Sequence, residues 1–203
     1  MKHLNHLLLI GGIAWIASGC ASAPSRFYTL NATAKSGGTP GAACSVIVGP
    51  VFLPAAVDRP QFVLTTAPNR VEIDEFNRWA APLGESIARV VSADLGVQLG
   101  TLRVASAPLP DFGPAYHVAI RIERFESVRG TGKGDGEVLV DAMWTVRGPA
   151  GQNVVSGHTI AHEPAPGNSI DALAAAHSRA LANLSSDIAA ALRSAVGDKD
   201  QPR

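Results

Sequence analysis

The run Val138-Leu139-Val140-Asp141-Ala142-Met143-Trp144-Thr145-Val146 constrains the fold more than any other part of the sequence, because every second residue in it is apolar or small. Successive side chains of a strand point to opposite faces, so Val138, Val140, Ala142, Trp144 and Val146 form one face that has to be buried. The same alternation precedes it in Val118, Ile120 and Ile122, and a returning run follows over residues 153–162. Phe125 falls out of phase with Ile122, which predicts a bulge near Arg124. The glycine-rich stretch 130–136 and the turn Gly148-Pro149-Ala150-Gly151 separate the runs. Three consecutive antiparallel strands are therefore predicted.

Two further stretches change period. Over 82–99, Leu83, Ile87, Val90, Val91, Leu95 and Leu99 recur at helical spacing, with Pro82 suited to the first turn and Gly100 to the end. Over 170–196, Leu173, Ala180, Leu181, Leu184, Ile188, Leu192 and Val196 form a continuous stripe, capped by Asn168 or Ser169 and stopped by Gly197. Shorter strand-like runs lie at 26–30, 45–51, 62–66 and 70–73, the last two joined by Pro68-Asn69, with Arg103-Val104-Ala105 between the first helix and the long strands. Strands and helices interleaved in this way predict an α/β domain, a mixed, partly antiparallel sheet with two long helices on one or both faces.

The N-terminus follows the secretory plan: Lys2, an apolar stretch from Leu7 to Ile16 and then small residues. That stretch is too short for a spanning helix, which takes about 20 apolar residues. Ala17-Ser18-Gly19-Cys20 resembles the lipobox of bacterial lipoproteins, so residues 1–19 are expected to be a signal peptide and Cys20 to carry acyl chains, palmitate among them. Two or three chains hold a protein on a bilayer where one would not. Ala21 instead of Asp after the cysteine resembles lipoproteins sent to the outer membrane. Residues 20–26 form a tether, 27–197 a single domain and 198–203 a polar tail. Without Lys2 the chain has 16 basic and 17 acidic residues, which gives no electrostatic footprint for nucleic acid. If Cys20 is lipidated, Cys44 has no partner for a disulfide and reads as a small buried hydrophobe.

Catalytic signals are missing. His158 and His162 lie four apart, but in a strand that spacing is roughly 13 Å, too far to share a metal. His117 and His177 have no cysteine or carboxylate at ligand spacing. Lys133 in the glycine-rich tip is followed by Gly134 rather than Ser or Thr, so it is not a phosphate loop. Asp74 and Glu75, beside Asn77 and Arg78, read as the solvated start of a helix. A hydrolase would need a serine brought beside His117, His158 or His177. No enzyme activity, cofactor or metal is expected.

The remaining dense segment runs from Gly49 to Leu64, where three prolines stiffen a chain carrying Phe52, Leu53, Val57 and Phe62 around Asp58-Arg59. Such a loop suits contact with a partner, and equally a buried crossover. Here the sequence resembles the PqiC family of ABC-type transport auxiliary lipoproteins, associated with MCE-type lipid transport. The resemblance rests on Phe27-Tyr28-Thr29-Leu30, Val48-Gly49-Pro50-Val51, Leu53-Pro54, Asp58-Arg59-Pro60-Gln61, Asn69, Phe76, Arg78-Trp79-Ala80, Pro82-Leu83 and the run 138–144. Ala55-Ala56-Val57 departs from the aromatic or leucine common before the Asp. The resemblance implies a three-layer α/β fold and an outer-membrane lipoprotein that faces the periplasm and docks an MCE protein, with a ring-shaped homo-oligomer in keeping. It points to Asp58, Arg59, Phe62, Asn69, Arg78 and Trp79 as partner- or lipid-contact residues, although Trp79 fits a core position as well. A lipid-binding carrier, which would enclose an acyl chain in an apolar pocket, is the alternative.

Overall fold

A computed structural model describes residues 24–36, 44–108, 112–130 and 134–197. Cys20, the stretch 1–19, Lys133 and the tail 198–203 lie outside the described residues. The elements in chain order are β1 (Arg26–Tyr28), β2 (Ser45–Phe52), β3 (Gln61–Ala67), β4 (Arg70–Trp79), α1 (Leu83–Leu99), β5 (Val104–Ala105), β6 (Ala115–Val128), β7 (Gly136–Arg147), β8 (Asn153–Ala165) and α2 (Ile170–Gly197).

All eight strands belong to one mixed sheet. The three long strands form the predicted antiparallel meander, β6 to β7 to β8, and the ladder shifts register between Ile122 and Arg124, where the phase of Phe125 predicts the bulge. On its other edge β6 is shared. Its first half pairs in parallel with β2, from Ser45↔Ala115 onwards, whereas its far end meets β3 through Thr65↔Val128. The sheet therefore forks: β2 and β5 continue along one branch, and β3, β4 and β1 make a wing along the other.

Both helices form where the periodicity places them. All six stripe residues of α1 are at most 2 % exposed, and Gly100 ends the helix at φ 64, a left-handed position that glycine adopts without steric penalty. For α2 the Ser169 hydroxyl accepts the Ala172 N–H at 3.1 Å, so Ser169 is the cap. Asn168 instead exchanges two hydrogen bonds of 3.0 Å with the Gly130 backbone, closing the base of the β6–β7 hairpin. The helices pack on each other and on one face of the sheet, and together with Val46, Val48, Val118, Ile120 and the inner face of β7 they enclose a single core. Trp144 Nε1 donates to Thr159 Oγ1 at 3.1 Å, and that hydroxyl donates to Asp187 on α2 at 2.6 Å, a polar pin between sheet and helix.

One local expectation is corrected. Asp74 and Glu75 do not begin a helix; both lie in β4, which runs on to Trp79. Between Gln61↔Arg78 and Phe62↔Asp74 the β3–β4 ladder shifts, and Asp74 Oδ1 fills the gap by accepting the Phe76 and Asn77 N–H groups at 3.0 Å each. A side chain that satisfies its own strand's irregular backbone keeps the segment extended.

Candidate functional site

The loop between β2 and β3 holds the densest set of sequence-selected residues, and the fold separates them by depth. Its tip turns tightly, with the Val57 and Asp58 N–H groups donating to Pro54 O at 3.0 and 3.1 Å. Asp58 is exposed. Arg59 is half-buried, and its Nε has no hydrogen-bond partner among the described residues. Asn69 is exposed in the turn between β3 and β4, away from the loop in sequence and hairpin. Arg78, half-buried, donates through Nε to Glu75 O at 3.0 Å and lies 3.6 Å from the Glu75 carboxylate. Asp58 borders an open cleft of about 500 Å³ between Val48 to Val51 of β2 and the start of α1 at Pro82 to Glu85. Of the six residues, Asp58, Arg59, Asn69 and Arg78 thus reach the surface, whereas Phe62 and Trp79 point inward.

Phe62, 0 % exposed, stacks on Trp79 with ring centroids 4.7 Å apart, and Tyr28 meets Phe62 edge-on at 6.0 Å. Phe125 and His177 complete the knot, their rings stacked at 3.9 Å and 9°. These rings dock the wing onto the main sheet and α2, so Phe62 and Trp79 support the loop from beneath.

Ser127 Oγ lies 2.8 Å from His177 Nε2, the serine–histidine pairing that a hydrolase requires. Its surroundings disable it. Ser127 is 2 % exposed and His177 0 %, and the adjoining cavity is about 10 Å³, room for one water and no substrate. Burial pushes the imidazole down to about 3, so it is a poor base, and its Nδ1 has no orienting partner among the described residues. The pair is a core histidine whose Nε2 is satisfied by one hydroxyl. Its sequence signal was a polar residue within the apolar stripe of α2.

Asp94 carries the same signal in α1, between Val91 and Leu95, but unlike His177 it does not stand out in the sequence. It is 0 % exposed, and Oδ1 accepts the Thr33 and Ala34 N–H groups at 2.8 Å each. Burial raises its carboxyl pKa against the lowering effect of those donors. With Leu30 buried beside it, and Arg89 donating to Leu30 O at 3.0 Å, Asp94 straps residues 30–34 across the helix pair. The open grooves flanking this strap, of about 700 and 490 Å³, are not enclosed chambers of the kind a lipid carrier needs. His158 and His162 each face a carboxylate on β7, Asp141 at 2.6 Å and Glu137 at 2.7 Å, as separate surface pairs. No cluster able to hold a metal occurs among the described residues, and no described helix is long and apolar enough to cross a membrane.

Comparison with known proteins places this architecture. An uncharacterized protein of known crystal structure shares the fold with a TM-score of 0.68 at 19 % identity, covering 84 % of this chain and 99 % of its own. A DUF330 protein from Xanthomonas campestris is similar to the same degree, with a TM-score of 0.68 at 18 % identity over 86 % of this chain and 98 % of its own. No curated protein sequence matches significantly. The profile of the ABC-type transport auxiliary lipoprotein component family matches residues 28–189, from the end of β1 into the last turns of α2. The chain belongs to the family of ABC-type transport auxiliary lipoprotein components, a transport-associated family and not an enzyme family.

Proposed function

We propose that the mature protein is held on the inner leaflet of the outer membrane by lipid on Cys20, faces the periplasm, and serves as the auxiliary docking subunit of an MCE-type, Pqi-like lipid transport system. The family match over residues 28–189 carries this reading. It is supported by the lipobox-like Ala17-Ser18-Gly19-Cys20 and by a tether of five residues between Cys20 and Arg26, which reaches at most roughly 20 Å. A domain on so short a lead can receive the end of a channel arriving from the inner membrane but cannot shuttle across the periplasm. A ring of identical copies would match a channel's symmetry.

The docking surface in this reading is the β2–β3 loop, with exposed Asp58, half-buried Arg59 and the cleft beside α1. Reversing a charge at such a surface leaves a like or unpaired charge against the partner and weakens binding. Co-purification of the native complex tests it: the MCE protein is expected with the wild type and in reduced yield with Asp58→Arg and Arg59→Glu. Equal recovery with both variants would remove this loop from the docking surface, and failure to recover an MCE protein with the wild type would remove the partner.

A further inference from the structure

The wing carries an apolar surface with no counterpart in the core. Phe27 on β1 is 65 % exposed, and Val71, Ile73 and Phe76 on β4 are 53, 39 and 48 % exposed. Strand pairing sets Phe27 beside Arg78, and aligned residues of a parallel pair share a face. Val71 and Ile73 lie opposite Thr65 and Val63, on the face turned away from buried Phe62 and Leu64. Clustered apolar side chains held out to solvent mark a binding surface.

Position in the chain identifies what covers it. Phe27 sits one residue beyond the tether, so on the reading that Cys20 is lipidated, with which this inference stands or falls, the edge of the wing lies within roughly 20 Å of the bilayer. Charge on the wing is mixed: exposed Arg26 and Arg70 with half-buried Arg78 are offset by exposed Glu72 and Glu75 with half-buried Asp74. A balanced rim suits a zwitterionic surface, and the attraction comes from apolar burial at the headgroup boundary. We infer that the wing, through Phe27 and Phe76, inserts shallowly into the leaflet that holds the lipid anchor, and so fixes the orientation of the domain on the membrane.

Tryptophan quenching in vesicles tests this. Full-length lipidated protein carrying Phe27→Trp, Phe76→Trp or, as a control, Leu102→Trp is reconstituted into phosphatidylethanolamine–phosphatidylcholine vesicles with brominated acyl chains. Leu102 is fully exposed and lies two residues before β5, the strand at the opposite end of the sheet order, and native Trp79 and Trp144 are buried. The added emission at 27 and 76 is expected to be largely lost to bromine, while that at 102 persists. The inference is overturned if the protein floats with the vesicles but 27 and 76 are quenched no more than 102. It is likewise overturned if both positions are shielded from bromine and from aqueous iodide, as a second copy or a protein partner on the wing would shield them. Protein that does not float at all removes the lipid anchor, and this inference with it.

Discussion

The meander and the wing are built in the same sheet by different means. In β6, β7 and β8 the inner side chains alternate along most of each strand, the ladders run nearly the whole strand length with a single register shift in each, and α2 lies across them. In β1, β3 and β4 the strands are shorter, two ladder shifts interrupt the hairpin, and its backbone link to β6 is the pair Thr65↔Val128. The meander is therefore held by its backbone and the wing by side chains, namely Phe62 and Trp79 packed against Phe125 and His177, with Tyr28 edge-on to Phe62. Regular alternation secures a sheet locally, whereas an irregular hairpin depends on a few large rings.

Trp79→Ala gives the largest expected effect, about 3–5 kcal/mol of stability, the usual cost of removing a buried aromatic ring. Hydrogen exchange should show the amides of β1, β3 and β4 losing protection while those of β7 keep theirs. Equal loss in both would mean that the two regions open as one unit. Gly157→Ala strikes the meander instead. A Cβ there would overlap the indole of Trp144, which the Thr159 hydrogen bond holds in place. Overpacking of this kind should cost about 2–3 kcal/mol in urea denaturation, with the transition remaining cooperative.

Acidification probes the junction of the two regions and is expected to act more weakly. His177 titrates near 6.5 when unfolded and at about 3 in the core, where it is held neutral by burial. Between those values the unfolded state binds the extra proton, so this contribution to stability is complete above 6.5 and falls as the pH drops towards 3. The loss should be about 2 kcal/mol between pH 7 and pH 5. His177→Phe keeps the ring stack on Phe125 and should flatten the slope of stability against pH; an unchanged slope would assign the acid sensitivity to another group.

Much of the fold was legible because local chemistry repeats along the chain. The alternation of Val138 to Val146, the stripe from Leu83 to Leu99 and the stop at Gly100 each state a period and a buried face, and the structure has the same faces buried. The out-of-phase Phe125 located its bulge for the same reason. The candidate surface was less legible. A loop rich in prolines and apolar residues identifies a rigid segment but not which side chains face inward, and so Asp58 and Phe62, four residues apart, end at opposite depths.

Residue order alone determined the two helices, the three long strands, their inward faces and the lipobox-like start, since each depends on neighbours within a few positions. Tertiary structure decided how those elements share edges and faces. The forking of β6 between β2 and β3, the placing of both helices on one face, the pairing of Ser127 with His177 fifty residues away and the strapping of Thr33 by Asp94 all depend on contacts between distant parts of the chain. Such contacts leave only an indirect mark in the sequence, a polar residue where the period asks for an apolar one, because the partner that satisfies it is chosen by packing and not by spacing.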